Sequence, residues 1–203
     1  ELENAVILFD YFKGTLPEFP AGKPLFVFAS HFHADHYAPV IFQLGEKREN
    51  VFYILSKEIG KKIPEEYRKR YKDRIRLVKA GERFCLNISE ESLIVETFHS
   101  TDEGVAFWLS CEGKEIYHAG DLNNWWWEGE DMAWNRNMAA SYKQEMKKLS
   151  GRTADLAFIP VDPRQEQWFY LGVAGFMEQA DTKWIFPMHF WEDYTIIPKL
   201  IEH

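Results

Sequence analysis

Six residues, His31-Phe32-His33-Ala34-Asp35-His36, place three imidazoles and one carboxylate directly after the apolar run Leu25-Phe26-Val27-Phe28-Ala29. A short aromatic and β-branched run entered through Pro24 reads as a buried strand. The His/Asp cluster therefore belongs on the loop at that strand's C-terminal end, and the fold must bring further groups to the same place. Neutral imidazole and carboxylate are nitrogen and oxygen ligands of Zn²⁺ and related divalent ions. Residues two apart in an extended segment point the same way, so His31 and His33 can grip one ion. Asp35 and His36 lie past the turn and face a neighbouring position, which suggests a second ion. A lone histidine is more often a surface or hydrogen-bonded group, but four ligand types in six residues form a metal motif.

The remaining chain reads as alternating strands and short helices. Glu3-Asn4 is a turn into a strand over Ala5–Asp10, and a turn with no strand before it predicts a leading hairpin strand outside this sequence. A loop over Phe12–Lys23, a short helix over Pro39–Leu44 and a strand over Val51–Leu55 follow. Pro64 fits a first helical position, and Ile63, Tyr67 and Tyr71 give the helix after it one apolar stripe. Strands are expected at Ile75–Val78, Arg83–Leu86, Leu93–Phe98, Gly104–Cys111 and Glu115–His118. A helix over Asp131–Leu149, N-capped by Asp131 and stopped at Gly151, carries a core stripe of Ala139, Tyr142, Met146 and Leu149. Then come a strand at Leu156–Ile159, a helix marked by Phe169, Val173, Phe176 and Ala180, a strand at Lys183–Phe186 and a helix over Ile196–Ile201. No repeat or linker interrupts this order, so residues 1–203 are expected to form one domain.

Composition narrows the function. Of the 203 residues 46% are hydrophobic, enough for one substantial core. No run approaches the ~18 apolar residues of a membrane span, and no charged-then-apolar leader opens the sequence. Cys85 and Cys111 match no C-x-x-C or disulfide framework, and read as reduced core or near-core residues of a cytosolic protein. A net charge of −8 argues against a general nucleic-acid binder. Lys61–Lys79 runs the other way, with nine basic residues against three acidic ones. With its apolar stripe, that segment reads as a solvated helix face.

His-x-His-x-Asp-His after an apolar strand resembles the signature of the metallo-β-lactamase-fold hydrolases. The resemblance implies a mixed α/β (α+β) fold, a four-layer αβ/βα sandwich, and three later ligands in the order His, Asp, His. His99, Asp121 and His189 meet that order, each at or just beyond a predicted strand end. Of seven histidines, five (31, 33, 36, 99 and 189) then fall in ligand positions. By the resemblance His31, His33 and His99 hold a first metal, Asp35, His36 and His189 a second, and Asp121 bridges them. The cofactor implied is one or two divalent ions, zinc first, with manganese or iron as alternatives. Metal-bound hydroxide is then the nucleophile at neutral pH, and Asp35 could orient it or take up a proton. His118 reads as packed or as support for a ligand.

Two stretches are candidates for touching a small-molecule substrate. Three adjacent tryptophans at 125–127 cannot all face one core, so Trp125 and Trp126 are candidate lining residues. Arg164, in Pro160-Val161-Asp162-Pro163-Arg164, could clamp a phosphate or carboxylate, or make a structural salt bridge. The leading expectation is a hydrolase of a small ester, lactone or phosphoester, most similar in kind to the proteins related to ascorbate-6-phosphate lactonase. A phosphodiesterase or ribonuclease is the alternative. Against it, only 67 residues separate Asp121 from His189, too few for the insert domain of the exonuclease branch. True β-lactamases resemble the chain in ligand order but lack a histidine at the place of His36. A non-catalytic metal-binding protein is a further, weaker alternative.

Overall fold

Leu25–Ala29 is a strand with all five residues buried and a parallel neighbour on each side. Burial on both faces is what a parallel strand inside a layered protein requires. The computed structural model describes residues 1–88 and 91–203. Its first part comprises β1 (Val6–Phe9), β2 (Leu25–Ala29), α1 (Leu44–Lys47), β3 (Val51–Ser56), α2 (Glu65–Arg70) and β4 (Ile75–Val78). A meander follows: β5 (Arg83–Ile88), β6 (Glu91–His99), β7 (Val105–Cys111) and β8 (Lys114–His118). The remainder is α3 (Met132–Met146), β9 (Thr153–Ala154), β10 (Leu156–Pro160), α4 (Leu171–Met177), β11 (Asp181–Thr182), β12 (Ile185–Met188) and α5 (Ile196–Glu202).

One sheet has the order β1-β2-β3-β4, all parallel. A second has the order β12-β10-β8-β7-β6-β5, parallel from β12 to β8 and antiparallel beyond, and β9 and β11 form a small parallel pair of their own. Successive strand side chains point to opposite faces, which divides the core. Phe26, Phe28 and Ile54 of the first sheet meet Val95, Phe107 and Leu109 of the second in one cluster. Their alternates Val27, Tyr53 and Leu55 pack outward on Ile41, Phe42 and Tyr71. On the far face of the second sheet, Ala106, Trp108 and Tyr117 pack against Tyr142, Met146 and Phe176 of the helices. The architecture is therefore a four-layer αβ/βα sandwich. Each fully buried aromatic of these clusters contributes about 1.5–3 kcal/mol of transfer free energy.

Local signals explain most element ends. The Asp131 carboxylate accepts from the backbone N–H groups of Ala133 and Trp134, capping α3. Gly172 lies inside α4 because a Cβ there would sit 1.9 Å from Asn123 Oδ1. Pro64 precedes α2 as its N-cap rather than opening it as a first helical residue. The strand expected at Lys183–Phe186 runs two residues later and includes Pro187, which β12 tolerates as an edge strand. Ile63 and Tyr71 are buried while Lys61, Lys62, Lys69, Arg70 and Lys72 stay exposed. Cys111 is buried, but Cys85 is exposed, on the outermost strand of the second sheet, and is not a core residue. Among the described residues no helix is long and apolar enough to cross a membrane.

Candidate metal centre

Asp10 follows β1, Ser30 and His31 follow β2, Asp121 follows β8, Asp162 follows β10 and His189 follows β12. Parallel strands put their C-terminal ends on one edge, and loops leaving that edge present groups on a rigid base. Gly104 stitches the two sheets together there. Its φ is +73°, and a Cβ would meet Ser30 O at 2.0 Å. Val105 N–H donates to that same carbonyl at 3.0 Å, which draws residues 100–103 down over the end of β2.

Two groups of donors gather at this edge. His31, His33, Asp102 and Asp121 form one, and Asp35, His36 and His189 form the other, with the donor atoms of each group within 4.8 Å of one another. In the first, His31 Nε2 lies 3.0 Å from His33 Nδ1 and 3.4 Å from Asp121 Oδ2, and Asp102 Oδ2 lies 3.8 Å from His33 Nδ1. In the second, Asp35 Oδ2 lies 3.6 Å from His36 Nε2 and 3.7 Å from His189 Nε2. Asp121 faces both, its Oδ1 3.2 Å from His36 and its Oδ2 3.6 Å from His189.

The structure does not bring His99 to either group, contrary to expectation. That residue is the last of β6 and is exposed; its backbone N–H donates to Glu145 Oε2 at 3.2 Å and its ring Nδ1–H to Ser100 O at 2.5 Å. Asp102, three residues on, stands in its place.

Three of the four imidazoles, those of His31, His36 and His189, are held from behind, while His33 turns its Nδ1 to the centre. Ser30 Oγ–H donates to Asp10 Oδ2 at 2.7 Å, which leaves the Ser30 Oγ lone pairs to accept from His31 Nδ1–H at 3.0 Å. Asp10 Oδ2 accepts from His36 Nδ1 at 2.7 Å, and Asp162 Oδ2 from His189 Nδ1 at 2.8 Å. These bonds place the proton on Nδ1 and turn the Nε2 lone pairs toward the centre, the arrangement ligating histidines use. His118 packs flat on Phe9, 4.4 Å between centroids, and accepts from Gly120 N–H.

The charges follow from burial and contact. Burial, helped by the nearby His36, pushes His31 down to about 4, so it is a neutral ligand at neutral pH. Burial acts the same way on His36, but the Asp10 and Asp121 carboxylates outweigh it and raise His36 to about 10. A proton therefore stands where a cation would, and binding an ion must displace it. Burial opposes charge on Asp10 too, yet His118 and the hydrogen bond from His36 bring it down to about 2. Asp102 is raised by burial and then by Asp121.

The donor set fits a divalent cation. His36 Nε2 and Asp121 Oδ1 are buried without a hydrogen-bond partner among the described residues although only 3.2 Å apart. Once His36 gives up its Nε2 proton, both offer lone pairs to the same space, and a cation there takes the proton's place. Four non-glycine residues at this edge also hold positive φ: Asp10 (45°), His189 (63°), Trp191 (50°) and Glu192 (64°). Such positions cost on the order of 1–3 kcal/mol each and cluster at functional sites.

Of the substrate candidates, Trp125 reaches the centre. Its Nε1–H donates to Asp121 O at 2.9 Å, and its ring meets His189 edge-on at 5.3 Å. Trp126 does not: it turns to Trp168, 5.5 Å away, because neighbouring side chains in an extended stretch face opposite ways. Trp127 takes the place expected of it, stacked on Trp125 at 5.7 Å. Arg164 forks onto Asp162 and lies 4.7 Å from the Trp191 ring, and it also lines a cavity of about 370 Å³ with Trp125, Trp127, His33, Asp102 and Asp121. The tryptophan stretch is tied down by Gln165 Nε2–H to Asn124 O (2.8 Å) and by Trp127 N–H to Asn135 Oδ1 (3.0 Å).

Sequence reasoning missed Asp10, Ser30, Asp102, Asp162 and Trp191. Asp10 and Asp162 carried a usable signal, since each sits just past a strand, as the His cluster does.

No family model matches the chain, and no curated protein matches it. Comparison with solved structures finds 70 similar chains. One is CmlA, a diiron β-hydroxylase from Streptomyces venezuelae, at 13% identity over 91% of this chain and 42% of its own, with a TM-score of 0.49. A second is a candidate Zn-dependent hydrolase of the metallo-β-lactamase superfamily from Thermotoga maritima, at 12% identity over 87% and 67%, with a TM-score of 0.35. A third, of unknown function, comes from Enterococcus faecalis V583, at 17% identity over 79% and 36%, with a TM-score of 0.37. The chain spans less than half of the first and third. At these scores the likenesses carry no weight for the chemistry.

Proposed function

We propose that this chain is a metal-dependent hydrolase of the metallo-β-lactamase type, acting on a small ester, lactone or phosphoester. One observation carries the reading: two groups of His and Asp donors meet at Asp121, where the buried His36 Nε2 and Asp121 Oδ1 lie 3.2 Å apart with no other partner among the described residues, so that a cation can replace the proton between them. His31, His33, Asp102 and Asp121 would hold one ion and Asp35, His36 and His189 a second, with Asp121 shared. A divalent ion there lowers the pKa of water to ~7 and polarises a carbonyl or phosphoryl oxygen.

The chain's own residues do the rest. Ser30, Asp10 and Asp162 fix the imidazole tautomers. Asp35, part-exposed beside His36 and His189, takes the proton as water attacks and returns it to the leaving alkoxide: a bond from the water oxygen forms and the ester C–O or P–O bond breaks. Trp125 and Trp127 wall off solvent, and Arg164 presents a cation to an anionic substituent. None of the nine basic residues of Lys61–Lys79 lines either cavity that opens on the donor groups, which favours the small-molecule reading over the nuclease alternative. Likeness to the ascorbate-6-phosphate lactonases is the narrower form of the proposal.

The test is elemental analysis together with a screen of chromogenic ester, lactone and phosphodiester substrates on wild type and Asp121→Ala. One or two equivalents of metal, with ester or lactone turnover lost in the variant, is the expected result. A wild type that neither retains metal nor takes it up on addition overturns the reading.

A further inference from the structure

A second cavity, of about 860 Å³, opens on the same centre. Asp35, His36 and His189 line it, and so do Leu8, Phe12, Phe158, Met188, Phe190 and Tyr194. It is lined from β1 and β12, which are end strands of the two main sheets among the described residues. Its volume is that of a pocket for a small organic molecule. Asp10 is already bonded to Ser30 and to His36, and beside that pair Lys13, Asp35 and Glu192 are the charged groups along it. Trp191 and Tyr194, at 53% and 65% exposure, present aromatic surface beside it. Exposed apolar surface of this kind marks a ligand groove.

We propose that this trench takes the apolar acyl chain of the substrate, so that the ester cleaved is that of a medium- or long-chain fatty acid. The inference rests on the hydrolase reading and adds the substrate class. Continuity commits the trench to this occupant: the cavity that holds Asp35, His36 and His189 is otherwise walled mainly by aromatic and aliphatic side chains, which matches a molecule with a reactive head and an apolar tail. The cavity on the Trp125 side, with Arg164, is smaller and more polar, and suits the leaving alcohol.

The test uses the whole chain and two independent readouts. The first is binding of the product analogues hexanoate to dodecanoate to metal-free protein, followed by tryptophan fluorescence. The second is hydrolysis of p-nitrophenyl esters from butanoyl to dodecanoyl by the metal-loaded protein. Kd is expected to fall about threefold to fourfold per methylene, and kcat/KM to rise in parallel. Phe12→Glu and Tyr194→Glu, both in loops, should each weaken dodecanoate binding tenfold or more without lowering Tm. Ester turnover with no dependence on chain length overturns the trench assignment and leaves the hydrolase standing. Length-dependent binding with no turnover of any ester does the reverse. Dodecanoate binding that both variants leave unchanged places the apolar ligand elsewhere and overturns the assignment. So does concentration-dependent dimerisation that dodecanoate cannot reverse, because a second copy then covers the trench.

Discussion

Replacing Asp102 and His99 separately by alanine distinguishes the structure from the ligand order in the sequence. Asp102 Oδ2 stands 3.8 Å from His33 Nδ1 within the first donor group. His99 is exposed and outside both groups. Removing a residue that merely supports a ligand weakens metal binding by about 10–100-fold. A direct donor should cost at least the upper figure, or ~2.7 kcal/mol at ~1.36 kcal/mol per decade. Asp102→Ala is therefore expected to weaken metal binding ~100-fold or more, and Asp102→Asn, which keeps one oxygen donor without the charge, by less. His99→Ala should bind metal as wild type does and lose only the bond to Ser100, about 0.5–1.5 kcal/mol of stability. Competition titration against a chromogenic chelator measures the affinities, and urea unfolding of the metal-free proteins the stability. Metal lost in His99→Ala and kept in Asp102→Ala would refute the assignment.

Asp162→Ala, which frees His189 Nδ1, Trp191 Nε1 and Arg164 at once, should lower metal affinity about 10–100-fold; an unchanged chelator titration would mean that His189 needs no such support. Gly104→Ala meets both a positive φ and a Cβ 2.0 Å from Ser30 O, and is expected to cost above ~2 kcal/mol in urea unfolding. A midpoint equal to wild type would show that the loop yields freely. The metal-free fold should be most stable near neutrality. His36 is raised from 6.5 to about 10, so its contribution is full below pH 6.5 and lost as pH rises toward 10. His31 and His118 are lowered to about 4, so theirs is full above pH 6.5 and lost as pH falls toward 4. In Asp10→Asn the alkaline loss should flatten; a wild-type profile in that variant would break the link between Asp10 and His36.

What could be read from the sequence is what one local segment contains. Leu25–Ala29 announces a buried strand, and the ligand-rich turn after it follows from six consecutive residues. His31, His33, Asp35 and His36 do lie in the two donor groups, and Asp121 and His189, found by position after strands, join them. The four-layer order was expected only through the family resemblance that those six residues carry, and the two main sheets and their clusters have that layering.

Tertiary structure decided which group after β6 faces the centre. His99 ends β6 and Asp102 lies on the loop just after it; both are ligand types, and nothing in their spacing separates them. The choice falls to Asp102 because Gly104 packs against Ser30 from the other sheet and bends the loop there. The same holds for Asp10 and Asp162, whose carboxylates matter only because β1 and β10 end beside the strands that carry the histidines, and for Trp127 over Trp126. A ligand cluster within one turn is a local property, fixed by chain geometry over a few residues. Which distant side chain completes and supports it depends on how two sheets meet, and that is set by packing across the whole core.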